Sequence, residues 1–353
     1  MSELPVLVDQ RGNLGCLLLN RPGALNALSA EMIEHLRNAL LQWWESQEIR
    51  AVVLASTSDK AFCAGGDIRA VYDSYQAGET LHKTYFRDEY ALDRLLYQYP
   101  KPVLSLLHGH VLGGGLGMAQ GCGFRAVSKQ VRMGMPETAI GYFPDVGASH
   151  FLSRLPHQVG LYMGLTGNTI GPADALALGL AHRYLPRRRF GELVSRLEQL
   201  PLTNAANDIK ALLEELGTDQ LGEPELAQYY PAIEQHFGQP GVDAICDSLA
   251  SEQRPAYRQW AQDTLATIES RCPQSLYVTF ETLSRGQGLS LDNCMAMELH
   301  LINQWFEQGN FIEGVRALLV DKDQQPRWQP ASRAGVDQQQ VQALFAGLGS
   351  KER

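Results

Sequence analysis

Two clusters of glycine, each placed where a short apolar run ends, constrain this chain more than any other feature. The first is Phe62-Cys63-Ala64-Gly65-Gly66-Asp67-Ile68 and the second is His108-Gly109-His110-Val111-Leu112-Gly113-Gly114-Gly115-Leu116-Gly117. Glycine admits backbone conformations and close approaches that a Cβ forbids, so two such turns can aim two peptide N–H groups at one oxygen. Each follows a predicted strand, Ala51-Val52-Val53-Leu54-Ala55 in one case and Pro102-Val103-Leu104-Ser105-Leu106-Leu107 in the other. Taken singly, either turn also fits tight packing or a plain reversal. A dinucleotide-binding fingerprint fits the second cluster poorly, because Met118 stands where the third glycine belongs and no acidic residue ends a following strand about twenty residues on. No GxxxxGK[ST] phosphate loop occurs.

Around these turns the chain reads as α/β. Val6-Leu7-Val8 and Cys16-Leu17-Leu18-Leu19 are predicted strands, followed by a turn at Arg21-Pro22-Gly23. Ser29 then caps a helix, with Glu31 in its first turn and Ile33, Leu36, Leu40 and Trp43 at helical spacing as far as about Ser46. Recurring strand, loop and helix units imply a layered fold. Past residue 185 the strand candidates give way to amphipathic stretches at 192–200, 207–216 and 243–249, punctuated by Pro201, Pro224, Pro231, Pro240, Pro255 and Pro273. The expected organisation is a core over 1–185, a helical region over 186–330 packing on it, and a loosely held tail over 331–353.

Composition narrows the function classes. The chain has 353 residues, 44% hydrophobic and 20% charged, which is a globular balance. Its net charge of −9 and lack of a dense basic stripe argue against nucleic acid, and Arg187-Arg188-Arg189 reads as a solvated loop. No apolar stretch reaches the ~20 residues that span a bilayer, and Met1-Ser2-Glu3-Leu4-Pro5 lacks a basic segment leading into an apolar one, so neither secretion nor membrane insertion is expected. The six cysteines follow no metal-ligand spacing and read as reduced, buried residues, without disulfides or zinc. A cytoplasmic location is the expectation that follows.

Acid–base chemistry is suggested by Met135-Pro136-Glu137-Thr138-Ala139-Ile140-Gly141-Tyr142-Phe143-Pro144-Asp145-Val146-Gly147, where two carboxylates lie eight residues apart among apolar and turn residues. Such surroundings can push the ionisation of a pair apart, making one member a base or nucleophile and the other an acid or orienter. The plainer alternatives are a cap or surface turn for Asp145 and a salt bridge for Glu137. His108 and His110 flank the second turn without a Ser or Cys elbow and are read as structural.

The combination of Ala64-Gly65-Gly66-Asp67-Ile68, Lys101-Pro102 before a strand ending in His108-Gly109, Gly113-Gly114-Gly115, and Pro136-Glu137 resembles the crotonase (enoyl-CoA hydratase/isomerase) superfamily. The stretches 135–147 and Phe311-Ile312-Glu313-Gly314-Val315-Arg316-Ala317-Leu318-Leu319-Val320-Asp321-Lys322-Asp323 resemble its 3-hydroxyisobutyryl-CoA hydrolase branch, and the likeness runs from about residue 5 to 330. The resemblance implies an α/β, crotonase-like spiral of ββα units with a C-terminal helical region. It implies backbone N–H groups of Gly66 and Gly114 as oxyanion donors to a thioester carbonyl, Glu137 as the reactive carboxylate, and Asp145 as its acid–base or substrate-hydroxyl partner. Glu89 matches a further substrate-site glutamate, although its predicted helix, Tyr85 to Tyr97, would by default present it to solvent.

Hydratases of the family carry a second glutamate three residues after the central glycine of the triplet, and that position here is Gly117. The implied reaction is therefore thioester hydrolysis of 3-hydroxyisobutyryl-CoA, and of 3-hydroxypropionyl-CoA beside it, in valine catabolism, with Glu137 either attacking the carbonyl or activating water. The alternatives are an enoyl-CoA hydratase/isomerase and a catalytically silent acyl-CoA-binding protein. No metal or redox cofactor is implied, CoA being part of the substrate. Candidates for holding its phosphates are Arg21, Arg69, Lys101 and Arg132. The expected partner is the acyl-CoA alone, without nucleic acid or membrane. Trimers and hexamers are common in the family, but an extra helical region competes for the surfaces involved, which leaves homo-oligomerisation open.

Overall fold

Short buried strands separated by helices assemble into two sheets. The computed structural model describes residues Leu4–Thr218 and Leu221–Leu348, so the expectations placed on 1–3 and on 349–353 lie outside the described residues. The strands are β1 (Val6–Arg11), β2 (Leu14–Leu19), β3 (Ala51–Ser56), β4 (Ala61–Cys63), β5 (Val103–Leu107), β6 (His110–Leu112), β7 (Phe124–Val127), β8 (Arg132–Gly134) and β9 (Arg183–Tyr184). Six of them form a sheet in the order β1-β2-β3-β5-β7-β9 and three form a second in the order β4-β6-β8. Among these named strands, β1 and β2 pair antiparallel and the other pairs are parallel. β3 and β5 are buried along their whole length, which is why they read as continuous apolar runs rather than alternating ones. This is the crotonase-like α/β spiral, with helical elements toward the C-terminus.

The small sheet decides where the glycine turns lie. β4 pairs in parallel with β6, Cys63 opposite Val111, so the chain leaving β4 and the chain leaving β6 emerge side by side. One expectation changes here, because Ala61-Phe62-Cys63 is itself a strand and belongs to the turn's support.

The chain divides into two compact units. The first comprises Met1–Asp67, Asp88–Gly134 and Thr169–Ala227, and the second Ile68–Arg87, Met135–Asn168 and Gln228–Arg353. The first unit holds both sheets. Helices Phe190–Glu198 and Ala205–Leu216 set Leu193, Leu197, Ile209, Leu212, Leu213 and Leu216 against Leu14, Cys16, Val53, Leu104 and Leu106 of the large sheet. Each such leucine contributes about 1.5–3 kcal/mol by leaving water. Helix Ala30–Trp44 starts as the sequence predicts, Ser29 Oγ accepting from Met32 N at 3.2 Å, and it buries Ile33, Leu36, Leu40 and Trp43.

The second unit is almost entirely helical. Its helices Pro273–Gly286 and Leu291–Trp305 pack with Asn310–Val315 around an aromatic centre in which Phe143 meets Tyr142 at 4.6 Å and Trp305 at 5.1 Å between ring centroids. The tail is not loose over its described part. Asp337 caps a helix Gln338–Leu344 whose stripe of Val341, Leu344 and Phe345 is buried, and Arg285 stacks 4.4 Å above the Phe345 ring. All six cysteines are buried free thiols, and no described helix is long and apolar enough to cross a membrane.

Candidate active site

In both glycine turns the residue before the expected donor has a backbone conformation that side chains resist. Gly65 has φ +106°, and Gly113 has φ +49° and ψ −125°. Both conformations are ones that residues with a Cβ rarely adopt, which is why glycine stands before each expected donor. The bridge between Leu28 and Gly66 uses the peptides on either side, Leu28 N donating to Gly65 O at 2.8 Å and Asp67 N donating to Leu28 O at 3.0 Å. That pairing leaves the Gly66 N–H outside the bridge. Gly114 opens the helix Gly114–Gly121, where the first N–H groups have no intrahelical acceptor. A Cβ built on Gly114 would stand 3.5 Å from Gly66 N and collide with Glu89 Oε1. The first unit therefore brings Gly66, Gly114 and Glu89 together.

The triplet's third glycine has a packing role, since a Cβ on Gly115 would lie 2.5 Å from Cys63 O. Glu89 does not face solvent as its helix, Leu81–Tyr97, suggests by default. It is 2% exposed, and Asp93 one turn on is fully buried. Burial pushes the Cys63 thiol up to about 12, with the Glu89 and Asp93 charges adding to the effect.

A residue that sequence reasoning missed holds the first turn from behind. Asn26 is fully buried with φ +55°, accepts from Arg21 N at 2.7 Å, and donates to Ser56 Oγ at 2.6 Å and Phe62 O at 3.0 Å. Arg21 in turn pairs with Asp67 at 2.8 Å and donates to Ala27 O at 2.7 Å. Loop 20–28 is thus sewn to β3, β4 and the Gly65-Gly66 turn. Only the adjacent Arg21-Pro22-Gly23 turn signal hinted at it.

Glu137 and Asp145 belong to the second unit and are 7% and 4% exposed. Glu137 opens a short 3-10 helix, Glu137–Ile140, closed by Gly141 at φ +72°, where a Cβ would strike Asn310 O. The segment is held by two bonds from distant residues and one of its own. Cys272 N donates to Thr138 O at 3.0 Å, Trp305 Nε1 to Gly141 O at 2.8 Å, and Tyr142 N to Glu137 O at 3.0 Å. Asp145 begins a tight turn in which Ala148 N donates to Asp145 O at 2.8 Å, with Val146 at φ +52° and Gly147 at φ +85° and ψ +8°. Two left-handed central residues mark a type I′ turn, and a β-branched residue in the first of them costs on the order of 1–3 kcal/mol. Glu298, a second residue missed from sequence, accepts from Gly147 N and Ser149 N at 2.8 Å each and from Ser149 Oγ at 2.5 Å.

The other singled-out residues sort on geometry. Lys101 donates to Trp43 O and, at 2.7 Å, to Ser46 O, ending the helix Ala30–Trp44, and burial lowers its pKa. Arg69 reaches Leu319 O at 3.3 Å and Asp73 at 3.5 Å, while Arg132 is exposed at the start of β8. His108 is structural, its Nε2 donating to Ser58 O at 2.5 Å, with burial lowering its pKa. Arg316 pairs with Glu313, Asp321 and Asp323 at 2.6–2.8 Å, the surface network the sequence allows.

The comparisons with known proteins bear on the whole chain. The enoyl-CoA hydratase/isomerase family model matches residues 14–345. A Danio rerio protein named "3-hydroxyisobutyryl-CoA hydrolase, mitochondrial" is 35% identical over 351 residues, covering 98% of this chain and 91% of that protein. Two solved structures cover 98% of both chains at 32% identity, a carnitinyl-CoA dehydratase from Mycobacterium thermoresistibile with TM-score 0.89 and an enoyl-CoA hydratase from Rhodobacter sphaeroides with TM-score 0.88. The mitochondrial name overturns the cytoplasmic location expected from sequence. Reduced, buried thiols fit any reducing compartment and do not distinguish the cytosol from an organelle. This chain belongs to the enoyl-CoA hydratase/isomerase family, in its 3-hydroxyisobutyryl-CoA hydrolase branch.

Proposed function

We propose that this protein hydrolyses the thioester of 3-hydroxyisobutyryl-CoA to 3-hydroxyisobutyrate and CoA, a step of valine degradation. The observation that carries the choice among family reactions is Gly117. It lies buried within the helix Gly114–Gly121 and has no side chain at the place where hydratases need their second glutamate. Near-complete coverage of a relative bearing the hydrolase name supports the same reading.

By this assignment the N–H groups of Gly66 and Gly114 receive the thioester oxygen as negative charge develops on it. Each donor of this kind is worth about 2.7–4 kcal/mol to the transition state. Glu137 supplies the reactive carboxylate. It either attacks the carbonyl carbon, expelling CoA thiolate and leaving an acyl anhydride for water to cleave, or takes a proton from the water that attacks directly. Asp145 accepts the substrate hydroxyl or serves as the acid–base partner, and Glu89 orders the ground beside Gly114. The acyl-CoA is the only small molecule the reaction needs besides water.

The names of the two solved structures favour a second reading, dehydration or hydration of a CoA ester. Free thiol release from 3-hydroxyisobutyryl-CoA, run beside the enoyl absorbance of crotonyl-CoA, separates the two. Rapid thiol release with an unchanged crotonyl signal is expected. Loss of enoyl absorbance without thiol release would replace the hydrolase reading by a hydratase.

A further inference from the structure

We infer that Glu298 is a positioning residue for Asp145, holding it through the backbone that follows it. The inference rests on the reading above in which Asp145 meets the substrate. Glu298 is fully buried in the middle of helix Leu291–Trp305, and its carboxylate accepts hydrogen bonds from Gly147 N, Ser149 N and Ser149 Oγ. A buried carboxylate is costly unless it is hydrogen-bonded, and a buried peptide N–H is costly unless something accepts from it. Here each satisfies the other.

What the arrangement accomplishes follows from the turn it grips. The Asp145–Ala148 turn is closed by a bond from Ala148 N to Asp145 O, and the Gly147 N–H finds its acceptor outside the turn, in Glu298. Val146 at φ +52° would relax toward extended backbone if nothing opposed it, and that relaxation would swing Asp145 away. Glu298 opposes it from one side of the turn with two oxygens held in a fixed fork. Ser149 Oγ, at 2.5 Å, steadies that fork. The residue touches the backbone beyond Asp145, so its influence on the reaction passes through Asp145.

The test is a double-mutant cycle on the full chain, reading thiol release from 3-hydroxyisobutyryl-CoA and the melting temperature of every variant. Glu298→Gln keeps the volume but replaces one of the two accepting oxygens by an NH2 group, which sets a donor against one of the two backbone N–H groups. It is expected to lower kcat by about 10–100-fold, the usual result of moving a reacting group by about an ångström. In the Asp145→Asn background the same change should alter kcat by less than about twofold, since independent effects add and dependent ones do not. Equal losses in both backgrounds would mean that Glu298 supports the fold alone, and would overturn the inference. If Asp145→Asn is impaired while Glu298→Gln turns over like the parent, the inference fails and the reading of Asp145 stands. If Asp145→Asn keeps full turnover, the reading of Asp145 fails and the inference with it. Should Glu298→Gln not fold, Ser149→Ala removes one of the three bonds and runs through the same cycle. A loss of about threefold confined to the Asp145 parent supports the inference, and an equal loss in both backgrounds overturns it.

Discussion

Glu89 Oε1 lies where the Cβ of any residue larger than glycine at position 114 would have to stand. The side chain missing from Gly114 is therefore occupied space, filled by a carboxylate that is itself 2% exposed. The relationship links a glycine whose missing Cβ leaves room for the carboxylate with a glutamate that would otherwise belong on a helix surface.

Gly114→Ala keeps the backbone N–H but sets a methyl group against Glu89 Oε1, so the turn must shift. Moving the donor by about an ångström is expected to lower kcat by up to about 10²-fold, with a smaller change in KM. It should also destabilise the fold by about 1–3 kcal/mol through overpacking against Glu89. Adding Glu89→Ala makes room for the methyl group, so the double variant should regain thermal stability without regaining turnover. Parental kcat together with parental stability would show that Glu89 yields to the methyl group and that the turn does not move.

Glu137→Gln should cost at least about 10²–10⁴-fold in thiol release, the range of a lost acid–base group, and more if the carboxylate is the nucleophile. The circular dichroism spectrum and the melting temperature should stay close to those of the parent, because Gln keeps the side chain's volume and the bonds at Thr138 O, Gly141 O and Tyr142 N involve backbone atoms that the substitution leaves in place. Full thioesterase activity in this variant would eliminate Glu137 from the mechanism.

Asn26→Ala leaves Arg21 N and Phe62 O without their buried partner. The expected loss is about 2–4 kcal/mol of stability, read by urea unfolding. Turnover should fall as well, because the loop it ties carries Leu28, the residue bridged to Gly66. Unchanged unfolding would show that the Gly65-Gly66 turn supports itself.

Acidification should weaken the fold between about pH 7 and 5.5. Burial lowers the pKa of His108 and of His236, which lies between Ser248 at 2.7 Å and Glu252 at 2.9 Å. Both bind a proton less readily when folded than in the unfolded chain, where an imidazole titrates near pH 6.5. Below that pH the unfolded state binds more protons, so stability falls as the pH does. Glu252, held down to about 2 chiefly by its hydrogen bond from Arg254, loses its contribution only below about pH 4.5. Denaturant midpoints at pH 7.5 and 5.5 check this, and equal values would contradict it.

Discrimination between 3-hydroxyisobutyryl-CoA and 3-hydroxypropionyl-CoA should stay within about 10–200-fold in kcat/KM, the value of one methyl group in an apolar pocket. A larger ratio would point to a polar contact that one substrate makes and the other lacks.

The candidate site was legible from sequence where its requirements are local. A turn that needs positive φ and no Cβ announces itself as Gly65-Gly66 and Gly113-Gly114-Gly115, and a capped helix announces itself as Ser29 followed by Ile33, Leu36, Leu40 and Trp43. The stretch from Glu137 to Asp145 likewise shows as carboxylates among turn and apolar residues. Resemblance to a family supplied the roles, which no spacing could supply.

What the amino-acid sequence determined by itself, then, is the α/β pattern, the glycine turns and the short run of carboxylates, because each depends on residues within a few positions of one another. Tertiary structure decided the rest. The pairing of β4 with β6 sets one turn beside the other, and packing turns Glu89 from a helix surface into the neighbour of Gly114. Glu298 reads as one more polar residue on an amphipathic helix until the fold brings it to Gly147, 151 residues away in the chain. Hydrogen-bond partners across such separations leave no periodic mark in the sequence, since the energy that selects them exists only once the backbone is buried around them.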